Sequence, residues 1–292
     1  MSIKTRLDKI NAEWLLYLRE HDAVFNALFT RSADDIIKVI DKHTRNGVII
    51  SAGLLPIGRE VKKAIRSMRP EIKALVLSSM AKSADFGFKS HTFSLIGSTG
   101  KRSPFLGSSY LNNSGVVMRY SGQPFTDSFW YKLRLKTLSK IEASRPAGFS
   151  LSERVWDFTR SAEKAILSTV NQGIVNGDSS RAIAKAVQGF LNNPNSTNDL
   201  TFLYKPGRGV YRNAYQNALR LSRTESATAY SEATKAYANS KSWIKGYIWH
   251  TASGEPCPIC TDLEGAFFPK SEPPDLPAHP QCYCYLELVI EE

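Results

Sequence analysis

Four cysteines and one histidine near the end of the 292-residue chain have the types and spacing that most clearly indicate chemistry. Cys257 and Cys260 form a Cys-Pro-Ile-Cys knuckle, and His279, Cys282 and Cys284 follow in the pattern His-x-x-Cys-x-Cys. Thiolates paired in this way can face one tetrahedral ion, and zinc is the ion expected. The five candidates compete for four positions. All four cysteines are the preferred set, and His279 in place of one cysteine is the alternative.

Such a site is expected to be structural, because four protein ligands close a tetrahedral shell and leave no position for an activated water. The tail is short and rich in turn-forming residues, so the metal would supply most of its folding free energy. Two disulfides are less favoured, since the N-terminus lacks the apolar core of a secretion signal and a reducing compartment keeps thiols free. Four incidental cysteines without a metal are the alternative interpretation.

One enzyme signature overlaps the knuckle and can be tested directly. Pro256-Cys257-Pro258-Ile259-Cys260 fits half of the zinc nucleobase deaminase signature, whose other half is His-x-Glu. None of the five histidines is followed two residues later by glutamate, so no deaminase is expected.

Basic residues are concentrated in the middle of the chain, whose overall net charge is +11. Residues 51–150 carry 16 basic and 5 acidic side chains, residues 201–250 carry 8 and 2, and residues 251–292 carry 1 and 8. This distribution predicts an anionic partner for the middle of the chain. Nucleic acid and an acidic protein surface are the main options, because no apolar stretch approaches the roughly 18 residues of a membrane-spanning helix.

Apolar residues at helical spacing make residues 1–85 a helical N-terminal region. The predicted helices cover residues 3–28, 32–43, 58–68 and 71–83. Ser32 is expected to cap the second helix and Asn46-Gly47 to close it, while Pro56 and Pro70 interrupt the helices that follow.

Residues 86–149 form a basic arm rich in glycine, serine and aromatic residues. Residues 115–122 are expected to form a hairpin strand, and residues 129–141 a short basic helix. A long stretch of this composition inside a domain is typical of a functional segment, and we expect partners to order it.

Residues 150–246 are predicted to be a helical domain. Ser150 and Glu153 form a capping box that opens a helix ended by Gly177, and residues 178–180 cap a second helix that runs to Leu191. A polar loop over residues 194–209 then leads to one long alanine-rich helix over residues 211–245, stopped by Gly246.

Residues 247–292 are predicted to be a small metal-binding β-ribbon. A strand over residues 247–250 leads into the knuckle, and residues 263–268 and 283–290 supply two strands around the metal. The predicted fold class is therefore mainly α (α+β), with a helical body, a long insertion and a zinc-stapled ribbon.

Several short motifs occur in order over residues 150–290. They are Leu151-Ser152-Glu153-Arg154-Val155-Trp156, Gly173-Ile174-Val175-Asn176-Gly177, Arg223-Thr224-Glu225, Trp249, Cys257-x-x-Cys260, Asp262-Leu263-Glu264-Gly265 and His279-Pro280-Gln281-Cys282-Tyr283-Cys284. In this order and spacing, the C-terminal half resembles the phage head morphogenesis, or minor head protein, family, which includes the F protein of phage Mu and the gene 7 product of phage SPP1.

The resemblance implies a non-enzymatic virion component of a tailed bacteriophage, assembled in the host cytoplasm and placed inside the head near the portal vertex. It implies roles in head assembly and in the retention or delivery of packaged DNA. The portal protein is the expected partner, together with the major capsid or scaffold protein, and no membrane is involved during assembly. The basic groups would contact double-stranded DNA through its phosphates, without reading sequence. The predicted contacts are Lys89, Lys101, Arg102, Arg119, Lys132, Arg134, Lys136 and Arg208.

Two other functions are less favoured by the sequence. A toxin or enzyme module is disfavoured because such modules usually follow the cysteine cluster, and this chain ends eight residues after Cys284. A cellular zinc-ribbon adaptor for nucleic acid is the weaker alternative. Within the resemblance, Tyr283 stands where the family commonly has arginine, and Arg223 and Glu225 are expected to tie the long helix to a neighbour rather than to catalyse.

Overall fold

The computed structural model of the chain describes residues 3–49, 53–98, 110–111, 117–118, 128–144, 148, 150–191, 214–252 and 256–290. Most of these residues are helical, and short antiparallel strands form the remaining regular structure. The predicted mainly α fold class, with a small sheet near the C-terminus, is therefore confirmed.

The N-terminal region begins with one long helix, α1 (Ile3–Lys42), where two were predicted. The prediction that Ser32 caps a second helix is wrong. Its hydroxyl donates to the carbonyl of Leu28 at 2.9 Å, so its hydrogen bond is made inside the helix. The turn after α1 is as predicted: Asn46 and Gly47 have positive φ values of 51° and 78°. They join β1 (Thr44–Arg45) to β2 (Val48–Ile49) as a tight hairpin.

The second long helix, α2 (Leu54–Ser98), contains both prolines that were expected to interrupt it. Pro56 lies in the first turn, where a missing N–H costs nothing. Pro70 lies inside the helix, yet Ile65 and Ile72 on either side of it are both buried. Burial of a continuous apolar face offsets the cost of about 3 kcal/mol that an internal proline carries.

The predicted arm over residues 86–149 is partly helical, because α2 continues to Ser98. Strand β4 (Val117–Met118) lies within residues 115–122, where a hairpin strand was expected, and it pairs antiparallel with β3 (Tyr110–Leu111). The predicted basic helix is confirmed as α3 (Ser128–Ala143).

The helical hairpin after residue 150 has the predicted caps. Ser150 and Glu153 form a complete capping box at the start of α4 (Leu151–Asn176), and Gly177 ends it with φ 75°. The Oγ of Ser179 accepts from the N–H of Ala182 at the start of α5 (Ser180–Leu191). The polar loop predicted over residues 194–209 lies outside the described residues.

The alanine-rich helix is shorter than predicted. It is α6 (Ala214–Asn239), and Gly246 does not end it but lies in strand β5 (Ile244–His250). A Cβ on Gly246 would approach the carbonyl oxygen of Phe268 to 2.3 Å, so this glycine is required by close strand packing.

The C-terminal region is a three-stranded antiparallel sheet with a short helix. We refer to residues 244–290 as the ribbon. Its strands are β5, β6 (Phe267–Pro269) and β7 (Tyr285–Ile290), and β5 lies in the centre. The strand predicted over residues 263–268 is wrong in its first half, because the knuckle forms helix α7 (Pro258–Leu263) and Gly265 turns with φ 77°.

The chain divides into two compact units. The first contains Met1–Arg19, Val76–Ala143 and Ser222–Glu292, and the second contains Glu20–Leu75 and Ser144–Leu221. These units differ from the four consecutive segments predicted from the sequence, because α1 and α2 each give residues to both units. No described helix is long and apolar enough to cross a membrane.

The first unit has an aromatic core in which elements distant in sequence meet. The rings of Trp14 and Tyr230 lie 4.7 Å apart, and the indole N–H of Trp14 donates to Ser83 at 2.9 Å. Tyr285 of β7 is buried in the same cluster and donates its hydroxyl hydrogen to Asp8. The ribbon is therefore packed against helices α1, α2 and α6 within this unit.

Candidate metal centre

The five predicted ligands lie together in the ribbon. Cys257 and Cys260 belong to the start of α7, and the other three lie in the loop that leads into β7. Cys260, Cys282 and Cys284 are buried, while Cys257 and His279 are partly exposed. All four cysteines are free thiols, so the disulfide interpretation has no support in the structure.

Local backbone structure explains how each pair of ligands is brought together. Cys257 caps α7, its Sγ accepts from the N–H of Cys260 at 3.4 Å, and Pro258 fixes the first helical turn. In the second motif, the N–H of Cys282 donates to the carbonyl of His279 at 3.1 Å. Gln281 has a φ of 62°, which makes the turn tight enough to place these two side chains side by side.

The distance between two of the sulfurs fits a tetrahedral ion, and His279 lies close to two sulfurs. The Sγ atoms of Cys260 and Cys282 are 3.7 Å apart. Zn–S bonds of 2.3 Å at a tetrahedral angle require about 3.8 Å between sulfurs. The Nε2 of His279 is 3.0 Å from the Sγ of Cys257 and 3.2 Å from that of Cys260. The side chains can therefore hold a metal ion.

Two overlapping trios of ligand atoms make up the cluster. Cys257, Cys260 and His279 form one, and Cys260, Cys282 and Cys284 form the other, with all atoms of each trio within 4.8 Å of one another. Cys260 belongs to both trios, which makes it the central ligand. His279 lies as close to the knuckle as any cysteine does. The geometry is therefore compatible with both predicted ligand sets, the four cysteines or His279 in place of one cysteine.

Hydrogen bonds inside the cluster couple the titration of its members. Contacts with the thiols of Cys260 and Cys284 lower the pKa of Cys282. The contact with Cys282 raises the pKa of Cys260 and raises that of His279 to about 9. The thiolate is the form of cysteine that binds metal, so these contacts favour the ligand form of one sulfur in the cluster.

A second polar cluster, which sequence analysis missed, fastens α7 to the sheet. The buried His250 on β5 contacts Glu264 through Nδ1 at 3.2 Å and Glu287 through Nε2 at 2.7 Å. A neutral imidazole can donate from only one nitrogen, so two carboxylate partners require the imidazolium form. Burial alone would lower the pKa of His250, but hydrogen bonds to Glu287 and Glu264 outweigh it and raise that pKa.

Glu264 also anchors the chain beyond His250. Its carboxylate accepts from the N–H of Thr251. Burial would raise the pKa of Glu264, but this hydrogen bond and the contact with His250 lower it to about 2. The pairing of His250 with Glu287 follows from the register of β5 and β7, which separate the two residues by 37 positions in sequence. No local motif could have revealed it.

Two of the motif segments that carry the family resemblance bind each other. Arg223 on α6 donates to the Oε1 of Gln281 at 2.7 Å, and Thr224 accepts from the N–H of Gln281 at 3.2 Å. The expected structural role of Arg223 is thus confirmed, since it ties α6 to the loop that holds His279 and Cys282. At the departure from the family pattern, the ring of Tyr283 packs edge-on against Trp14 at 6.0 Å.

The predicted nucleic-acid contacts are only partly placed. Lys132 and Lys136 are exposed on α3, whereas Arg134 on the same helix forms an ion pair with the buried Asp85 at 3.0 Å. Arg134 is thus engaged inside the first unit, which weakens its assignment as a phosphate contact. Lys89 lies in α2, and the remaining predicted contacts, Lys101, Arg102, Arg119 and Arg208, lie outside the described residues.

Comparisons with known proteins do not extend the family resemblance. No family model matches the chain, and neither a curated protein nor a solved structure matches it. The resemblance to the minor head family therefore rests on the sequence motifs, and the function that it implies stays a prediction.

Proposed function

We propose that the chain is a minor head protein of a tailed bacteriophage, placed inside the head near the portal vertex. In this role it binds the portal protein, takes part in head assembly and helps to retain or deliver packaged double-stranded DNA. The observation that carries the proposal is the bonding of Arg223 and Thr224 to Gln281. Two family-like motifs that lie 58 residues apart in sequence act as one structural unit.

The metal in this proposal is a structural zinc ion. Sulfur-rich sets with one histidine are preferred by zinc, and the cluster offers four thiols and one imidazole. These donors surround the ion, so its role is to hold α7 and the loop before β7 together rather than to activate water.

Particle localisation tests the proposed function. An asymmetric reconstruction of purified phage particles is expected to place density for this chain at the portal vertex, inside the head. Antibody labelling of the particles after the DNA has been released would give an independent reading. Particles that lack the chain, or that carry it on the tail or the outer capsid surface, would refute the proposal.

Metal analysis tests the zinc assignment separately. The purified full chain is expected to contain about one zinc per molecule by elemental analysis, with a sulfur-rich first shell by X-ray absorption. The Cys257→Ser/Cys260→Ser double variant should lose the zinc, whereas Glu272→Gln, an exposed residue of the same ribbon, should retain it. A double variant that keeps its zinc would sink the assignment.

A further inference from the structure

Six basic residues form a continuous stripe along α2 in the second unit. At 3.6 residues per turn they fall within an arc of about 120° and span about 21 Å along the axis. Those six, which we call the basic stripe, are Arg59, Lys62, Lys63, Arg66, Arg69 and Lys73. Arg59, Lys62, Lys63 and Arg66 are exposed, and the other two are partly exposed.

The acidic residues of the same helix segment do not neutralise the stripe. Glu60 and Glu71 project more than about 100° away from its middle. Glu60 is paired with Lys42 at 2.9 Å and with His43, and Glu71 is paired with Arg31. Each carboxylate is therefore committed to a cation of α1 or of the turn after it. These contacts direct both carboxylates away from the stripe.

Helix α4 lines one edge of the stripe and orders two guanidinium groups there. Arg69 donates to the hydroxyl of Thr159 at 2.7 Å, and its guanidinium carbon lies 5.7 Å from the centre of the Trp156 ring. The guanidinium carbon of Arg160 lies 5.0 Å from the same ring. Trp156 is nevertheless 45% exposed, so the indole presents both arginines at the surface.

Glu163 of α4 meets the stripe at one residue. It accepts from Arg66 at 3.2 Å and is itself buried. This pair holds α4 against α2. Arg160 of α4 adds an exposed cation at the same edge.

We propose that the basic stripe, together with Arg160, binds the phosphate backbone of double-stranded DNA without reading its sequence. The stripe spans about 21 Å, a length over which a duplex presents about 12 phosphates. Arginine and lysine side chains supply phosphate contacts, which position a protein on the duplex without reading its sequence.

This inference deepens the proposed function, on which it rests for the choice of packaged DNA as the partner. It assigns the main contact with DNA to α2 and α4 instead of the predicted arm residues. The inference and the proposed function can fail separately. Particle localisation does not depend on which residues contact DNA, and a DNA-binding assay does not depend on the portal.

A pair of charge-matched variants tests the stripe in the full zinc-loaded chain. Arg59→Gln/Lys62→Gln/Lys63→Gln removes three exposed cations from the stripe. The control Arg45→Gln/Arg181→Gln/Lys185→Gln removes three exposed cations elsewhere in the same unit. Fluorescence anisotropy with a random-sequence 30-base-pair duplex is measured between about 50 and 300 mM salt.

The stripe variant is expected to lose on the order of 100-fold in affinity at 0.1 M salt. Its salt slope should fall by about 2 to 3, since each lost phosphate contact removes about 0.9. The control should change affinity by less than about threefold and keep the wild-type slope. Thermal unfolding checks that both variants fold. If the triple stripe variant does not fold, the Lys62→Gln/Lys63→Gln double variant replaces it in the binding assay.

Two results would overturn the inference. One is a stripe variant that binds the duplex as tightly as the wild type, or a control that loses as much as the stripe variant does. The other is a wild-type chain that binds polyglutamate or single-stranded DNA of equal charge more tightly than the duplex. In that case the preferred partner of the stripe is an acidic protein or a single-stranded nucleic acid.

Discussion

The ends of α4 in the α4–α5 hairpin are set by contacts between neighbours in sequence, whereas the ribbon depends on side chains from four separate segments. In the hairpin, the capping box and the left-handed Gly177 define the two ends of α4. In the ribbon, the cysteine cluster joins Cys257 to Cys284 across a long loop, and His250 joins two carboxylates. Local signals define the ends of α4, whereas in our proposal a metal ion stabilises the ribbon together with the pairing of His250 with Glu264 and Glu287.

Substitution of the central ligand Cys260 should have the largest effect on the ribbon. Cys260→Ser removes a sulfur that both ligand trios share, so we expect at least a 100-fold loss of zinc affinity in competition with a chromophoric chelator. Cys284→Ser and His279→Ala, which each remove a member of one trio only, should lose less. A Cys260→Ser chain with wild-type affinity would show that the trios are not the metal site.

The next largest effect is expected when a methyl group is added to one glycine in each region. Gly246→Ala in β5 places a Cβ 2.3 Å from the rigid carbonyl of Phe268, so the ribbon should lose about 3 kcal/mol of unfolding free energy. Gly173→Ala in α4 meets the side chain of Ile183 at 2.5 Å, and the better helix propensity of alanine offsets part of that clash. The hairpin should lose only about 1 kcal/mol.

Urea unfolding of both glycine variants, followed by hydrogen exchange to assign the region, measures these losses. Gly173→Ala/Ile183→Val should recover most of the hairpin's stability. Gly189→Ala, where no atom lies within 4 Å of the added Cβ, is the matched control. If Gly246→Ala were as stable as Gly189→Ala, the close packing of β5 against β6 would be wrong.

The charge state of His250 should make the ribbon's stability depend on pH. Because its pKa is raised in the folded chain, the imidazolium stabilises the ribbon fully below about pH 6.5, and this stabilisation is lost as pH rises through the raised pKa. His250→Gln should therefore cost about 2 kcal/mol at pH 6 and less at pH 9. The lowered pKa of Glu264 acts in the opposite direction, with stabilisation present above about pH 4.5 and lost toward pH 2.

Exchange of the β5 amides between pH 6 and pH 9, corrected for intrinsic rates, measures the His250 effect. A difference between wild type and His250→Gln that is constant over this range would contradict a charged His250. The control variant His43→Gln replaces a partly exposed histidine in the second unit. It should leave the hydrogen-exchange rates of the β5 amides unchanged.

The smallest effect is expected at the start of the hairpin. Ser150→Ala removes the side chain that accepts from the N–H of Glu153, which should cost about 1 kcal/mol. Ser152→Ala changes an exposed serine two residues away and should be neutral or slightly stabilising. Equal unfolding midpoints for the two variants in urea would contradict the capping role.

The same contrast explains how much could be predicted from the sequence. Ser150, Glu153 and Gly177 act on their own neighbours, so the ends of α4 followed from local rules. The cysteine pairs revealed the cluster because metal ligands impose a spacing. The interactions of His250 with Glu287 and of Arg223 with Gln281 could not be predicted, since they depend on strand register and on the packing of α6.

The wrong predictions have a common physical cause. Pro70 and Ser32 are helix-breaking signals by local rules, and tertiary packing or a hydrogen bond within the helix outweighs each of them. The sequence predicts Gly246 as a helix end, but its lack of a side chain is needed for contact with β6. In each case the local preference was real, but a contact with residues elsewhere decided the outcome.

Hydrogen exchange of the full chain, with zinc and after removal of zinc by a chelator, tests the central contrast in one measurement. We predict that the β5 amides, including that of Trp249 bonded to Ala266, lose at least 100-fold of their protection when zinc is removed. The amides of α4 should change by less than about threefold. Undiminished protection of β5 in the metal-free chain would contradict the account, because the ribbon would then fold without the ion.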